Sequence, residues 1–60
     1  MALKERFLKI YSNLPLGLRE EIIIVLDKKP LTWNAAYIEV VNNTKISDEI
    51  LKKLEKMGII

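Results

Sequence analysis

The chain has 60 residues, 50% of them hydrophobic, and its ten basic and eight acidic side chains give a net charge of +2. This length fits a single domain, residues 1–60, whose small core buries only about 60% of the unfolded surface. Cysteine and histidine are absent, which removes disulfides, the usual transition-metal ligands and the commonest catalytic pairs. We therefore expect no enzyme, no metal site and no cofactor.

No stretch of the sequence predicts a membrane protein or a small-molecule site. The longest apolar run, Ile22 to Leu26, is far too short to span a bilayer. The first five residues lack the layout of a signal peptide, so a cytoplasmic protein is expected. Abundant Lys, Glu and Ile, without Cys or Gln, lean toward a thermophile, although an AT-rich genome gives the same bias.

A first amphipathic helix is predicted from Ala2 to Ser12. Its apolar positions recur at helical spacing and are Leu3, Phe7, Ile10 and Tyr11. Lys4, Arg6 and Lys9 form a positive cluster with Lys28 and Lys29. This cluster could track a phosphate backbone, but an ordinary solvated face is favoured. Asn13-Leu14-Pro15 interrupts it, because a residue before proline is pushed out of helical geometry.

The next segment has two interpretations. A second helix from about Pro15 or Gly17 to Asp27 is favoured, since Arg19-Glu20-Glu21 leads into the apolar run without a turn signal. However, four of the five residues from Ile22 to Leu26 are β-branched, which suits a buried strand, and periodicity cannot decide for so short a run. The alternative is an α+β fold with a β-hairpin in residues 21–41.

Asp27-Lys28-Lys29-Pro30 is predicted to be a turn, because Pro30 excludes helix at Lys29. Two further helices follow it. Thr32 is a candidate N-cap for the third, whose apolar stripe is Trp33, Ala36, Tyr37, Val40 and Val41. Ser47 is a candidate N-cap for the fourth, and Gly58 is placed to close it in the left-handed conformation. The expected fold is all-α, a small four-helix domain with a helix-turn-helix-like core. The four aromatic residues all lie on apolar stripes and are expected in the core or at its edge.

The third helix, the turn and the fourth helix, ending in Leu-Glu-Lys-Met-Gly-Ile-Ile, resemble the helix-turn-helix core of winged-helix DNA-binding domains. Ile22–Thr32 is similar to the opening helix and extended link of that family, and Ile50–Ile60 to its recognition helix and the start of the wing. The printed sequence ends at Ile60, before the wing hairpin. Asp48 and Glu49 depart from the pattern, because carboxylates at that position repel phosphate.

The resemblance implies that the fourth helix lies in the major groove of double-stranded DNA. The residues that would contact DNA are Lys52, Lys53 and Lys56, with Thr44, Lys45 and Ser47 at the approach. Lysines would contact phosphates, and Ser47 or Thr44 a phosphate or a base edge. The same lysines also suit an ordinary solvated face with i,i+4 acid–base pairs. The predicted function is DNA binding, in a small transcription regulator or a chromosome-associated protein.

Several isoleucines are left over once each helix has one buried face. Ile23, Ile24 and Ile38 are predicted to form a homodimer or partner interface, which would also compensate for the small core. The alternative function is therefore a helical protein–protein interaction or dimerisation module that does not bind nucleic acid.

Overall fold

The computed structural model describes residues 2–60 and contains three α-helices, a 3₁₀ helix and a two-stranded sheet. The α-helices are α1 (Leu3–Ser12), α2 (Trp33–Val41) and α3 (Ser47–Lys56). Between α1 and α2 lie the 3₁₀ helix (Leu16–Glu20) and the strands β1 (Ile22–Leu26) and β2 (Lys29–Thr32), which pair antiparallel. The fold is therefore α+β, and the prediction of an all-α four-helix domain is wrong.

A β-hairpin replaces the predicted second helix. The 3₁₀ helix stops at Glu21, whose φ of −77° and ψ of 140° are extended, and the β-branched run that follows forms β1. Its register pairs Ile22 with Thr32 and Ile24 with Leu31, so Ile23 forms a β-bulge. The opening helix implied by the winged-helix resemblance is consequently absent, whereas the segment before α2 is extended as strand β2.

The hairpin closes through a two-residue turn, Asp27-Lys28. Both residues have positive φ, 48° and 68°, as a type I′ turn requires. Leu26 pairs with Lys29 across the turn and Val25 with Pro30. Because hydrogen-bonded and non-hydrogen-bonded pairs alternate in such a hairpin, Pro30 falls where no N–H is needed. A proline that seemed to mark only a turn is thus compatible with β2.

Replacing Asp27-Lys28 with Asn-Gly should stabilise the protein. The left-handed backbone region is sterically unfavourable for most L-residues, whereas glycine adopts it freely and asparagine tolerates it. We expect a gain of about 0.5–1 kcal/mol and a midpoint of thermal unfolding about 2–8 °C higher. Thermal unfolding followed by circular dichroism measures this, and a lower midpoint would argue against the hairpin.

One hydrophobic core joins the three α-helices and β1. Its buried members are Phe7, Ile24, Trp33, Ala36, Val40, Ile50, Leu51, Leu54 and Ile60. Phe7 lies at the centre, with its ring centroid 5.7 Å from that of Trp33 and 6.2 Å from that of Tyr11. Tyr11 and Tyr37 are half-buried and stack at the core edge, with centroids 4.2 Å apart. The aromatic residues therefore lie in the core or at its edge, as predicted.

The two caps predicted from the sequence have different outcomes. Thr32 caps α2 as predicted, because its Oγ1 accepts a hydrogen bond of 3.0 Å from the N–H of Ala35. Ser47 does not cap α3 in the predicted way: its Oγ is buried and donates to the carbonyl of Thr44 at 2.8 Å. At the other end, Gly58 has a φ of 79°, which confirms the left-handed closure and returns Ile60 to the core.

Candidate nucleic-acid interface

The six residues predicted to contact DNA fall into two groups in the structure. Thr44, Ser47 and Lys53 make hydrogen bonds within the protein: Thr44 Oγ1 donates to the carbonyl of Glu39 at 3.4 Å, and Ser47 is buried as described. Lys45, Lys52 and Lys56 are exposed, and within residues 2–60 their ammonium groups make no hydrogen bond or ion pair. Among the six, only the second group has ammonium groups that are not already hydrogen-bonded within the described residues.

Lys53 points toward the hairpin. Its Nζ donates to the carbonyl of Val25 at 2.9 Å. Val25 belongs to a non-hydrogen-bonded pair, so its carbonyl points away from β2 toward the open edge of the sheet. Lys53 therefore covers one edge of the hairpin, while Pro30 removes a donor from the other.

A lysine from α1 joins the free lysines of α3. Lys4 and Lys52 line the same shallow surface depression, together with Ala2, Leu3, Asp48 and Leu51. The Lys4 ammonium also donates to Asn43 Oδ1 at 3.1 Å. Asn43 lies in the turn between α2 and α3 (residues 42–46), two residues before Lys45, so the Lys4 ammonium lies beside this turn. The sequence pattern groups Lys4 with Arg6 and Lys9 and favours an ordinary solvated face for them. Its contribution depends on α1 packing against α3, which no local pattern reveals.

Arg6 is the basic residue of α1 that lies closest to an acid of α3. Its Nη1 is 3.6 Å from Glu55 Oε2, and both side chains are well exposed. Such a pair contributes little to stability, but it neutralises one positive and one negative charge at the α1–α3 boundary. Arg6 is therefore not part of the candidate interface.

We call the surface formed by Lys4, Lys45, Lys52, Lys56, Asp48 and Glu49 the basic surface. Four lysines and two carboxylates give it a charge of +2. The whole chain carries +2, from ten basic and eight acidic side chains, so the other six basic and six acidic residues sum to zero. The positive charge of the protein is therefore concentrated on one surface.

Two of these lysines repel one another. Lys52 and Lys56 are four residues apart on α3, which puts like charges on neighbouring turns of one helix face. Such a pair destabilises an isolated helix by a few tenths of a kcal/mol. A bound phosphate would remove that repulsion.

A second polar cluster lies at the opposite end of α1. Its side chains contact one another and the backbone, which indicates a structural role. The Arg19 guanidinium carbon is 4.4 Å from the Tyr11 ring centroid, and Nη2 donates to the Tyr11 carbonyl at 3.2 Å. The Tyr11 hydroxyl donates to Asn34 Oδ1, and Asn34 Nδ2 donates to Glu20. These bonds join α1, the 3₁₀ helix and α2, and the half-buried tyrosines pack on one another.

The residues predicted to form a dimer interface do not form one exposed surface. Ile24 is 3% exposed and belongs to the core, so it cannot contact a partner, and Ile23 is half-buried. Ile38 is 56% exposed on α2. It lies one turn from Val41, which is 42% exposed although it belongs to the apolar stripe predicted for this helix.

Neither a cluster of metal-ligating side chains nor a membrane-spanning helix is found in the described residues. Within residues 2–60, no three acidic side chains lie close enough together to hold a metal ion. In the same part of the chain, no helix has the length and apolarity needed to cross a membrane.

Comparison of the chain with models of known protein families, with curated proteins and with solved structures finds no match. The winged-helix resemblance therefore stays a prediction from the sequence.

Proposed function

We propose that this protein binds double-stranded DNA through the basic surface. The observation that carries the proposal is the segregation of charge, with +2 on the basic surface and zero on the rest of the chain. A duplex carries one negative charge for about every 1.7 Å of its axis, so clustered lysines release several counterions on binding. The helices α2 and α3, joined by residues 42–46, are the two helices from which the winged-helix resemblance was inferred.

The proposed contacts are mainly to phosphates. The outward side chains of α3 are lysines and carboxylates, and the helix has no Arg, Asn or Gln, the residues that most often read base edges along with lysine. Phosphate contacts position a protein on DNA without specifying sequence. We therefore favour a chromosome-associated protein over a sequence-specific regulator.

Affinity for a short duplex should fall steeply with salt. Lys45, Lys52 and Lys56 provide three phosphate contacts, and Lys4 a fourth if it releases Asn43. Three or four contacts give a slope of about −2.7 to −3.6 in a plot of log K against log salt. Between 50 and 200 mM salt the affinity should therefore fall about 40- to 150-fold. Fluorescence anisotropy with a labelled duplex measures this.

Two unrelated duplex sequences of equal length provide the control for specificity. Their affinities should agree within about tenfold, since specific complexes exceed non-specific ones by about 10³ or more. Absence of binding at low salt, or an affinity independent of salt, would contradict the proposal.

A further inference from the structure

The exposed face of α2 is almost without charge. The helix buries Trp33, Ala36 and Val40 against the core, and its only charged residue, Glu39, is half-buried. On the outside, Ile38 and Val41 are 56% and 42% exposed. Charged side chains line the exposed faces of α1 and α3, whereas α2 presents aliphatic and amide groups to solvent. An apolar helix face of this kind indicates a contact surface.

Opposite charges lie at the two ends of this face. At the start of α2, Asn34 donates to the Glu20 carboxylate. Just beyond the end of α2, Asn43 accepts a hydrogen bond from the Lys4 ammonium. The stripe formed by Asn34, Ile38 and Val41 at helical spacing therefore runs from a carboxylate to a lysine.

We propose that a second copy of this chain covers the α2 face, with the two α2 helices antiparallel about a two-fold axis at Ile38. Ala35 and Val41 lie three residues before and three after Ile38. The axis therefore packs the larger Val41 against the small Ala35 of the partner subunit, and the same contact occurs twice. Ile38 packs against its own copy at the centre.

The charges at the two ends of the α2 face favour antiparallel over parallel pairing of the two helices. Antiparallel pairing brings Glu20 toward Lys4 of the partner subunit, and the two-fold axis repeats this contact. Parallel pairing would instead place like charges together. A residue on the two-fold axis meets its own copy, so a charged residue there would face a like charge. Ile38 is uncharged and avoids this repulsion. The face is self-complementary in shape and in charge.

This inference does not depend on DNA binding. It rests on α2 and its ends, whereas the proposed DNA contacts rest mainly on α3 and the α2–α3 turn. A dimer would also bury apolar surface that the small core of a 60-residue chain leaves exposed.

Sedimentation velocity, without DNA, tests the proposal over concentrations of about 5 to 500 µM, the range suited to a small interface. The wild-type mass should rise from the 7.0 kDa of one chain toward twice that value. Ile38→Lys should remain monomeric throughout, with its dissociation constant raised about 100-fold or more, because two ammonium groups would meet on the axis. Met57→Lys, at a comparably exposed apolar residue just after α3, should dimerise like the wild type.

Charge reversal keeps the proposal testable if Ile38→Lys does not fold. Glu20→Lys and Lys4→Glu should each weaken the dimer, and the double variant should restore it by exchanging the two charges. A wild-type protein that stays monomeric at the highest concentration would overturn the proposal. So would a dimer that Ile38→Lys leaves intact, or a double variant no stronger than either single one.

Discussion

Phe7→Ala should leave the protein largely unfolded at 25 °C. The Phe7 side chain has no exposed surface and lies between α1 and α2, with the Trp33 ring centroid 5.7 Å away. Removing a buried phenyl ring costs about 3–5 kcal/mol, through lost burial and the cavity that remains. A single core in a domain of this size supplies no more than about 3–5 kcal/mol in total. The substitution therefore removes most or all of the stability.

Urea unfolding followed by fluorescence measures this effect. Trp33 is the only tryptophan and is 8% exposed, so its emission reports directly on the packing around Phe7. Leu16→Ala is the matched control, because Leu16 is 77% exposed and should change stability by no more than about 0.5 kcal/mol. Protein concentration must be the same for all variants, since a dimer contributes to apparent stability. A Phe7→Ala variant as stable as the wild type would show that the core is built differently.

Replacing Lys4, Lys45, Lys52 and Lys56 together with alanine should abolish DNA binding at physiological salt. Each lysine that contacts a phosphate adds about −0.9 to the slope of log K against log salt. Single substitutions should therefore reduce the slope in steps, and the fourfold variant should bring it close to zero. All four side chains lie on the surface, so circular dichroism should show an unchanged fold.

Lys9 and Lys53 supply matched controls for this experiment. Lys9 is exposed on α1, about 140° around the helix from Lys4. Lys53 is on α3 itself, but its ammonium is bonded to the Val25 carbonyl. Alanine at either position removes one positive charge and should change the affinity by less than about twofold. Equal losses at these lysines and at those of the basic surface would mean that DNA responds only to net charge.

Local patterns predict the three α-helices well. The apolar stripes containing Phe7, Trp33 and Leu54 recur at helical spacing over ten residues or so, and each becomes the buried face of its helix. The Thr32 cap and the Gly58 closure are likewise local features, each set by a single residue type.

The hairpin is harder to predict because its signals are weak. Ile22 to Leu26 is apolar throughout, so it fits a helix or a strand. A turn sequence such as Asn-Gly would have settled the question, but Asp27-Lys28 adopts the same turn without that signature. Pro30 indicated only a break in the chain, since its tolerance in β2 depends on the pairing register.

The candidate interface was predicted only in part, for a similar reason. The lysines of α3 can be found from helical periodicity. Whether each ammonium group is available to DNA depends on residues far away in the sequence. Lys53 is hydrogen-bonded to β1, and Lys4 is brought beside Lys52 by the packing of α1 on α3. Lys53 and Val25 are 28 residues apart in the chain, and Lys4 and Lys52 are 48 residues apart.

The central claim is that duplex DNA contacts the basic surface, and NMR chemical-shift mapping tests it most directly. A ¹⁵N-labelled protein titrated with a short duplex should show its largest amide shifts at Lys4, Lys45, Lys52 and Lys56 and their neighbours. The turn residues Asp27 and Lys28 should be little affected. Shifts confined to the hairpin, or none at saturating DNA in low salt, would contradict the account.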